Sequence, residues 1–126
     1  MMTSDDVRAL HDAGMTIGAH TVTHPILARL DDASARDEIR AGRDALQAIT
    51  GAPVTLFAYP NGRPGTDYSP AHAAMVRDMG FAAALTTRRA FAHAGTDPYE
   101  LPRFTPWGRG FLGFSAGFAR NHLGYS

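Results

Sequence analysis

Two histidines four residues apart, His20 and His24 in His20-Thr21-Val22-Thr23-His24-Pro25, are the residues of this sequence best suited to chemistry. Imidazole is a common ligand for zinc and binds other divalent metals well. On a helix the same spacing would call for a glutamate beside the first histidine as general base, but Thr21 stands there. Thr21, Val22, Thr23 and Pro25 all disfavour helix, so the pair sits on a loop. Taken alone, the spacing fits two metal-free loop histidines more readily than a ligand pair.

A second segment, Phe57-Ala58-Tyr59-Pro60-Asn61-Gly62, joins a β-branched and aromatic run to a turn. Turn chemistry alone explains Pro60, Asn61 and Gly62.

The elements that must carry these segments alternate. Thr3 or Ser4 caps an opening helix with Asp5 and Asp6 in its first turn, and Gly14 stops it. Met15 to Ala19 reads as a short buried strand. A helix follows, capped by Asp31, Asp32 or Ser34, with an apolar stripe of Ala35, Ile39, Gly42, Leu46 and Ile49 ending at Gly51 and Pro53. Val54 to Ala58 is a strand, Ser69-Pro70 opens a helix closed by Gly80, and Phe81 to Thr86 is a further strand. Leu101 to Phe104 is short and extended, and Phe111 to His122 is a glycine-weakened helix. Helix alternating with strand predicts an α/β fold on parallel strands, where chemistry gathers at the strands' C-terminal ends. Both segments fall at such ends.

Composition narrows the chemistry further. The chain has 126 residues, enough for one domain, with 44% hydrophobic and 19% charged residues, an ordinary globular balance. It has no cysteine, so any metal rests on His, Asp or Glu. All 12 basic residues are arginine, which excludes a lysine Schiff base or a P-loop lysine. Net charge is zero, but residues 1–50 carry 5 Arg against 8 acids and residues 51–126 carry 7 Arg against 4. No dense basic cluster forms, so no nucleic-acid partner is expected. There is no signal peptide and no membrane segment, which reads as cytoplasmic for the chain as written.

Taken together, Ala13 to Pro25, Phe57 to Gly62, Gly80 to Thr87 and Leu101-Pro102-Arg103 resemble, in order, the motifs of polysaccharide deacetylases, the NodB-homology or carbohydrate esterase family four proteins. The resemblance runs over residues 5 to 104 and implies a partial (β/α) barrel of the NodB-homology type. Residues 1–126 would form one partial domain lacking its first strands, with an exposed sheet edge open to self-association. It implies a hydrolase removing N-acetyl groups from amino-sugar polysaccharides, with a divalent metal, zinc by preference. In that family two histidines and an aspartate hold the metal, which polarises the amide carbonyl and the attacking water. Carried over residue by residue, His20 and His24 become metal ligands and Thr21 steadies their loop. Asn61 offers its backbone N–H to the oxyanion, Arg103 adds a guanidinium, and Tyr59 and Pro60 shape the groove wall. Arg103 has an equal alternative in a salt bridge to Glu100 or Asp97.

Three departures qualify the resemblance. No Thr-Phe-Asp-Asp-like segment precedes His20, so the third ligand and general base are missing, and Asp5, Asp6 and Asp12 lie on a different element. No Leu-x-His tripeptide occurs, which removes the general acid; His72, His93 and His122 read as surface histidines. Ala58 stands where the family usually has arginine. Metal should therefore bind weakly, and the expected chain is a C-terminal portion inactive alone. The alternatives are a non-catalytic remnant acting as a structural or interaction domain, or a bare metal-binding module. Trp107 reads as a rim or packing residue.

Overall fold

In the computed structural model, residues 2–104 and 110–122 are described. Helix α1 (Ser4–Asp12) begins where the Thr3 hydroxyl accepts the Asp6 N–H at 3.2 Å and the Asp6 carboxylate accepts the Thr3 N–H at 2.7 Å. It buries none of its residues and lies against α2, where the Arg8 Nε donates to the Ile49 carbonyl at 3.2 Å. Helix α2 (Asp32–Thr50) is capped by Asp31, which accepts the Ser34 N–H at 2.9 Å, and ends at Gly51 in the left-handed region. Its stripe buries Ala35, Ile39 and Gly42, with Leu46 and Ile49 half-buried below them.

Strand β1 (Leu56–Ala58) pairs in parallel with β2 (Ala83–Leu85), Phe57 opposite Ala84. Single parallel bridges extend this pair on both sides, Ala19 to Phe57 and Leu85 to Leu101. The order is Ala19 segment, β1, β2, Leu101 segment, with helix α3 (Pro70–Asp78) crossing from β1 to β2. The strand expected over Met15–Ala19 shrinks to one bridge. Gly18 weakens it, and among the described residues it has a partner on one side only. Among the described residues the far edge of this segment is unpaired.

The expected α/β class is observed. Phe57 and Ala84 point under the helices, 1% and 0% exposed, into a core with Ile39, Val76 and Phe81, while Leu56, Ala58, Ala83 and Leu85 alternate to a half-open face. Helix α4 (Gly110–His122) follows the Leu101 segment, and Phe114 and Phe118 meet the ring of Phe104. Trp107 lies outside the described residues, as does the side chain of His122.

Candidate functional site

Residues 20–25 leave the carboxyl end of the Ala19 bridge as a tight loop. Two of them hold left-handed backbone, Thr21 at φ 64° and His24 at φ 58°. For a β-branched residue this conformation is strained by about 1–3 kcal/mol, and such strain persists only where surrounding contacts enforce it. The enforcing contacts come from α2. The Glu38 carboxylate accepts the N–H groups of Val22 and Thr23 at 2.9 and 3.0 Å and the Thr23 hydroxyl at 2.8 Å. These bonds favour the charged form, so they hold the Glu38 carboxyl below the usual glutamate range. One turn further on, Gly42 lets the helix backbone approach Thr21.

On this loop the rings of His20 and His24 lie 4.8 Å apart between centroids, at 71° to each other. The Nδ1 of His20 is 2.7 Å from the Ala58 carbonyl. A carbonyl can only accept, so Nδ1 carries a proton, and in the neutral ring that leaves the lone pair on Nε2. That is the arrangement by which metal-binding histidines are usually oriented. The pair suits two positions around one divalent cation. Among the described residues no group of three His, Cys, Asp or Glu comes together. Asp5 is tied to Arg8 at 2.7 Å, and Asp6 caps its own helix.

The turn after β1 is held from beneath. Tyr59 is fully buried, stacks on Tyr68 at 3.9 Å and 9°, and donates its hydroxyl to the Tyr99 carbonyl at 2.9 Å. Pro60 is buried as well. Neither offers surface to a ligand, so the groove-wall role expected for Tyr59 and Pro60 is corrected to support of the turn. Burial pushes the Tyr59 hydroxyl well above the usual tyrosine range, which keeps it a neutral donor.

Asn61 is exposed at φ 57°, a conformation asparagine tolerates better than most residues. Its carbonyl accepts the Thr87 hydroxyl at 2.6 Å, while its N–H has no protein acceptor among the described residues. Gly62 completes the turn at φ 74°, where a Cβ would meet the Thr87 nitrogen at 3.0 Å.

Arg103 takes neither expected salt bridge. Its Nε donates to the Thr86 carbonyl at 2.8 Å, while Asp97 pairs with Arg77 at 3.3 Å and Glu100 accepts the Tyr68 hydroxyl at 2.8 Å. Arg103 and Asn61 line one cavity of about 1000 Å³.

Thr21 steadies the loop less than its position promised. Among the described residues its hydroxyl donates only to the neighbouring His20 carbonyl, whereas Thr23 and Glu38 make the cross-element bonds. Glu38 and Gly42 were not evident as site residues. A glycine inside the apolar stripe of α2 was the one available sign of a close backbone approach. His72 is no surface residue: it is 5% exposed, and its Nδ1 accepts the Ser69 N–H at 3.0 Å at the start of α3. His93 is exposed, as expected.

The model of a family described as polysaccharide deacetylase matches residues 2–84. Among solved structures, the Streptococcus pyogenes deacetylase PplD in complex with acetate is similar with a TM-score of 0.74 and 24% identity, over 81% of this chain and 43% of its own. IcaB from Ammonifex degensii is similar with a TM-score of 0.65 and 20% identity, over 82% of this chain and 47% of its own. A family 4 carbohydrate esterase from Streptomyces lividans in complex with acetate gives 0.58 and 27%, over 65% of this chain and 40% of its own. The chain thus spans less than half the length of each. No curated protein matches it. The parallel arc seen here is that of a NodB-type deacetylase fold.

Proposed function

The chain belongs to the polysaccharide deacetylase family, and from that premise we propose that it supplies the histidine side of a metal-dependent site removing N-acetyl groups from amino-sugar polysaccharides. The observation that carries this reading is the pair His20 and His24, 4.8 Å apart, with the His20 Nδ1 committed to the Ala58 carbonyl. A divalent metal, zinc first, would rest on the two rings and supply Lewis-acid polarisation of an amide carbonyl and of water. With two ligands from the described residues, its binding to the isolated 126-residue polypeptide is weak.

The chain's own residues have distinct parts. Ala58 fixes the His20 tautomer, and Glu38 keeps both histidines at the end of the sheet through the loop backbone. Asn61 presents a backbone N–H with no acceptor among the described residues, suited to a developing oxyanion. Arg103 stands in the adjoining cavity with its terminal nitrogens unpaired among the described residues.

The isolated polypeptide is expected to release no acetate, because no carboxylate stands with the histidines as base among the described residues. Positioned acid and base groups contribute about 10² to 10⁴-fold each. The test is a zinc or cobalt titration followed by the imidazole NMR signals, beside acetate release from a chitin oligomer, with a His20→Ala, His24→Ala double variant as control. Metal-induced shifts of both histidines, lost in the double variant, support the reading. Signals indifferent to metal favour instead a non-catalytic structural or interaction domain, the alternative that the two-ligand set allows. Metal-dependent acetate release by the polypeptide would show that the inactivity proposed here is mistaken.

A further inference from the structure

The cavity beyond Asn61 holds more than one guanidinium. Arg63, Arg89 and Arg103 all line it, together with Thr87 and Phe104. None of the three arginines has a carboxylate within salt-bridge distance among the described residues, where the ion pairs are Arg8 with Asp5, Arg40 with Asp37, Arg43 with Asp44 and Arg77 with Asp97. One acid, Asp67, also borders the space. It is 5% exposed, and its carboxylate is used by the backbone N–H of Arg63 at 2.9 Å, which closes the 63–67 turn. Formally the hollow carries three positive charges against one buried negative charge. Like charges gathered around a concave surface raise its potential and draw anions. The fork of Arg103 is also partly pre-organised, because its Nε is already committed to the Thr86 carbonyl.

The cavity shares Asn61 with the proposed deacetylation site, and one turn of chain links it to the strand end that holds His20. Asn61 lines the hollow, and Ala58, three residues before it, orients His20. A volume of about 1000 Å³ has room for a sugar residue. We infer that this chain recognises an acidic amino-sugar polymer, in which a carboxylate or phosphate group next to the N-acetylated sugar is held by Arg63, Arg89 and Arg103. Arginine suits both anions because its planar fork matches their paired oxygens. The inference deepens the deacetylase reading and rests on it for the identity of the neighbouring sugar.

The experiment is a calorimetric and NMR titration of the 126-residue chain with chitotetraose, a hyaluronan tetrasaccharide, N-acetylglucosamine 1-phosphate and inorganic phosphate. Expected is binding of at least one acidic saccharide about tenfold or more tighter than chitotetraose, an advantage that shrinks as salt is raised. Tighter binding of the tetrasaccharide identifies a carboxylate, and tighter binding of the sugar phosphate identifies a phosphate. An Arg63→Gln, Arg89→Gln variant should lose the preference. Both residues are exposed, and neither side chain makes a bond among the described residues, so the fold should persist by circular dichroism. Equal affinity for neutral and acidic saccharides, or a preference that survives in the variant, overturns the inference. Inorganic phosphate binding as tightly as the sugar phosphate also overturns it, since it reveals a simple anion site. The metal titration reads the deacetylase assignment separately: histidines indifferent to metal, beside a retained acidic preference, sink that assignment and leave the arginine site standing.

Discussion

A Cβ built on Gly42 would lie 2.8 Å from both the carbonyl carbon and the carbonyl oxygen of Thr21, so helix α2 and the histidine loop touch backbone to backbone. A methyl group there has to displace the loop or the helix. Gly42→Ala is expected to destabilise the fold by about 1–3 kcal/mol, the usual range for overpacking, despite the better helix propensity of alanine. Because Thr21 already stands at positive φ, the loop is the element that should shift. Denaturant unfolding with the His20 and His24 NMR signals reads both effects. Wild-type stability with unmoved signals would show the contact to be slack.

Glu38 clamps the same loop by its charge. Its folded pKa lies below the ordinary 4.5, chiefly through the Thr23 N–H, so the unfolded chain takes up a proton first as pH falls. The stability it adds is therefore present above about pH 4.5 and declines below that as the folded value is approached. Glu38→Gln should remove that part of the acid sensitivity and, because the group is largely solvated, cost only about 1 kcal/mol at neutral pH. Unfolding followed against pH for both proteins decides this; superimposable acid limbs would remove Glu38 from the account.

His72 should give the chain a second, higher acid transition. Burial lowers its pKa from the ordinary 6.5, and Asp32 only partly opposes this. Its Nδ1 accepts the Ser69 N–H, a bond that protonation abolishes. The unfolded state thus binds the extra proton, and stability is full above 6.5 and falls as pH drops below it. Replacing His72 with Gln, which can still accept at the start of α3, should flatten the profile between pH 6.5 and the Glu38 range. An unchanged slope there would mean another group titrates.

Tyr59 should matter through support alone. Tyr59→Phe keeps the stack on Tyr68 and removes the hydroxyl that serves the Tyr99 carbonyl, at a cost of about 1–2 kcal/mol. Tyr59→Ala opens a cavity beneath Asn61 and should cost about 3–5 kcal/mol. Binding of saccharide by the Phe variant should match that of the parent. Weakened binding at full stability would instead put Tyr59 in contact with the ligand.

Much of this was legible along the chain because it depends on neighbours a few residues apart. The stripe from Ala35 to Ile49, the Asp31 cap and the Ser69-Pro70 start announce α2 and α3, since helical periodicity and capping are local. The spacing of His20 and His24 and the turn from Tyr59 to Gly62 are local too, each following a run of strand-forming residues. Three-dimensional packing decided the rest. Glu38 reaches the loop from 15 and 16 residues away, because the turn of α2 that carries it happens to face Val22 and Thr23. The family resemblance implied a groove-wall place for Tyr59, and only its stack on Tyr68 shows it turned inward. Arg63, Arg89 and Arg103 belong to three separate segments, and the parallel arrangement of β1, β2 and the Leu101 segment brings them around one hollow. Local pattern determines which elements form. Which side chains meet depends on the register and crossing of those elements, set by burial of Phe57, Ala84 and Ile39 in a common core.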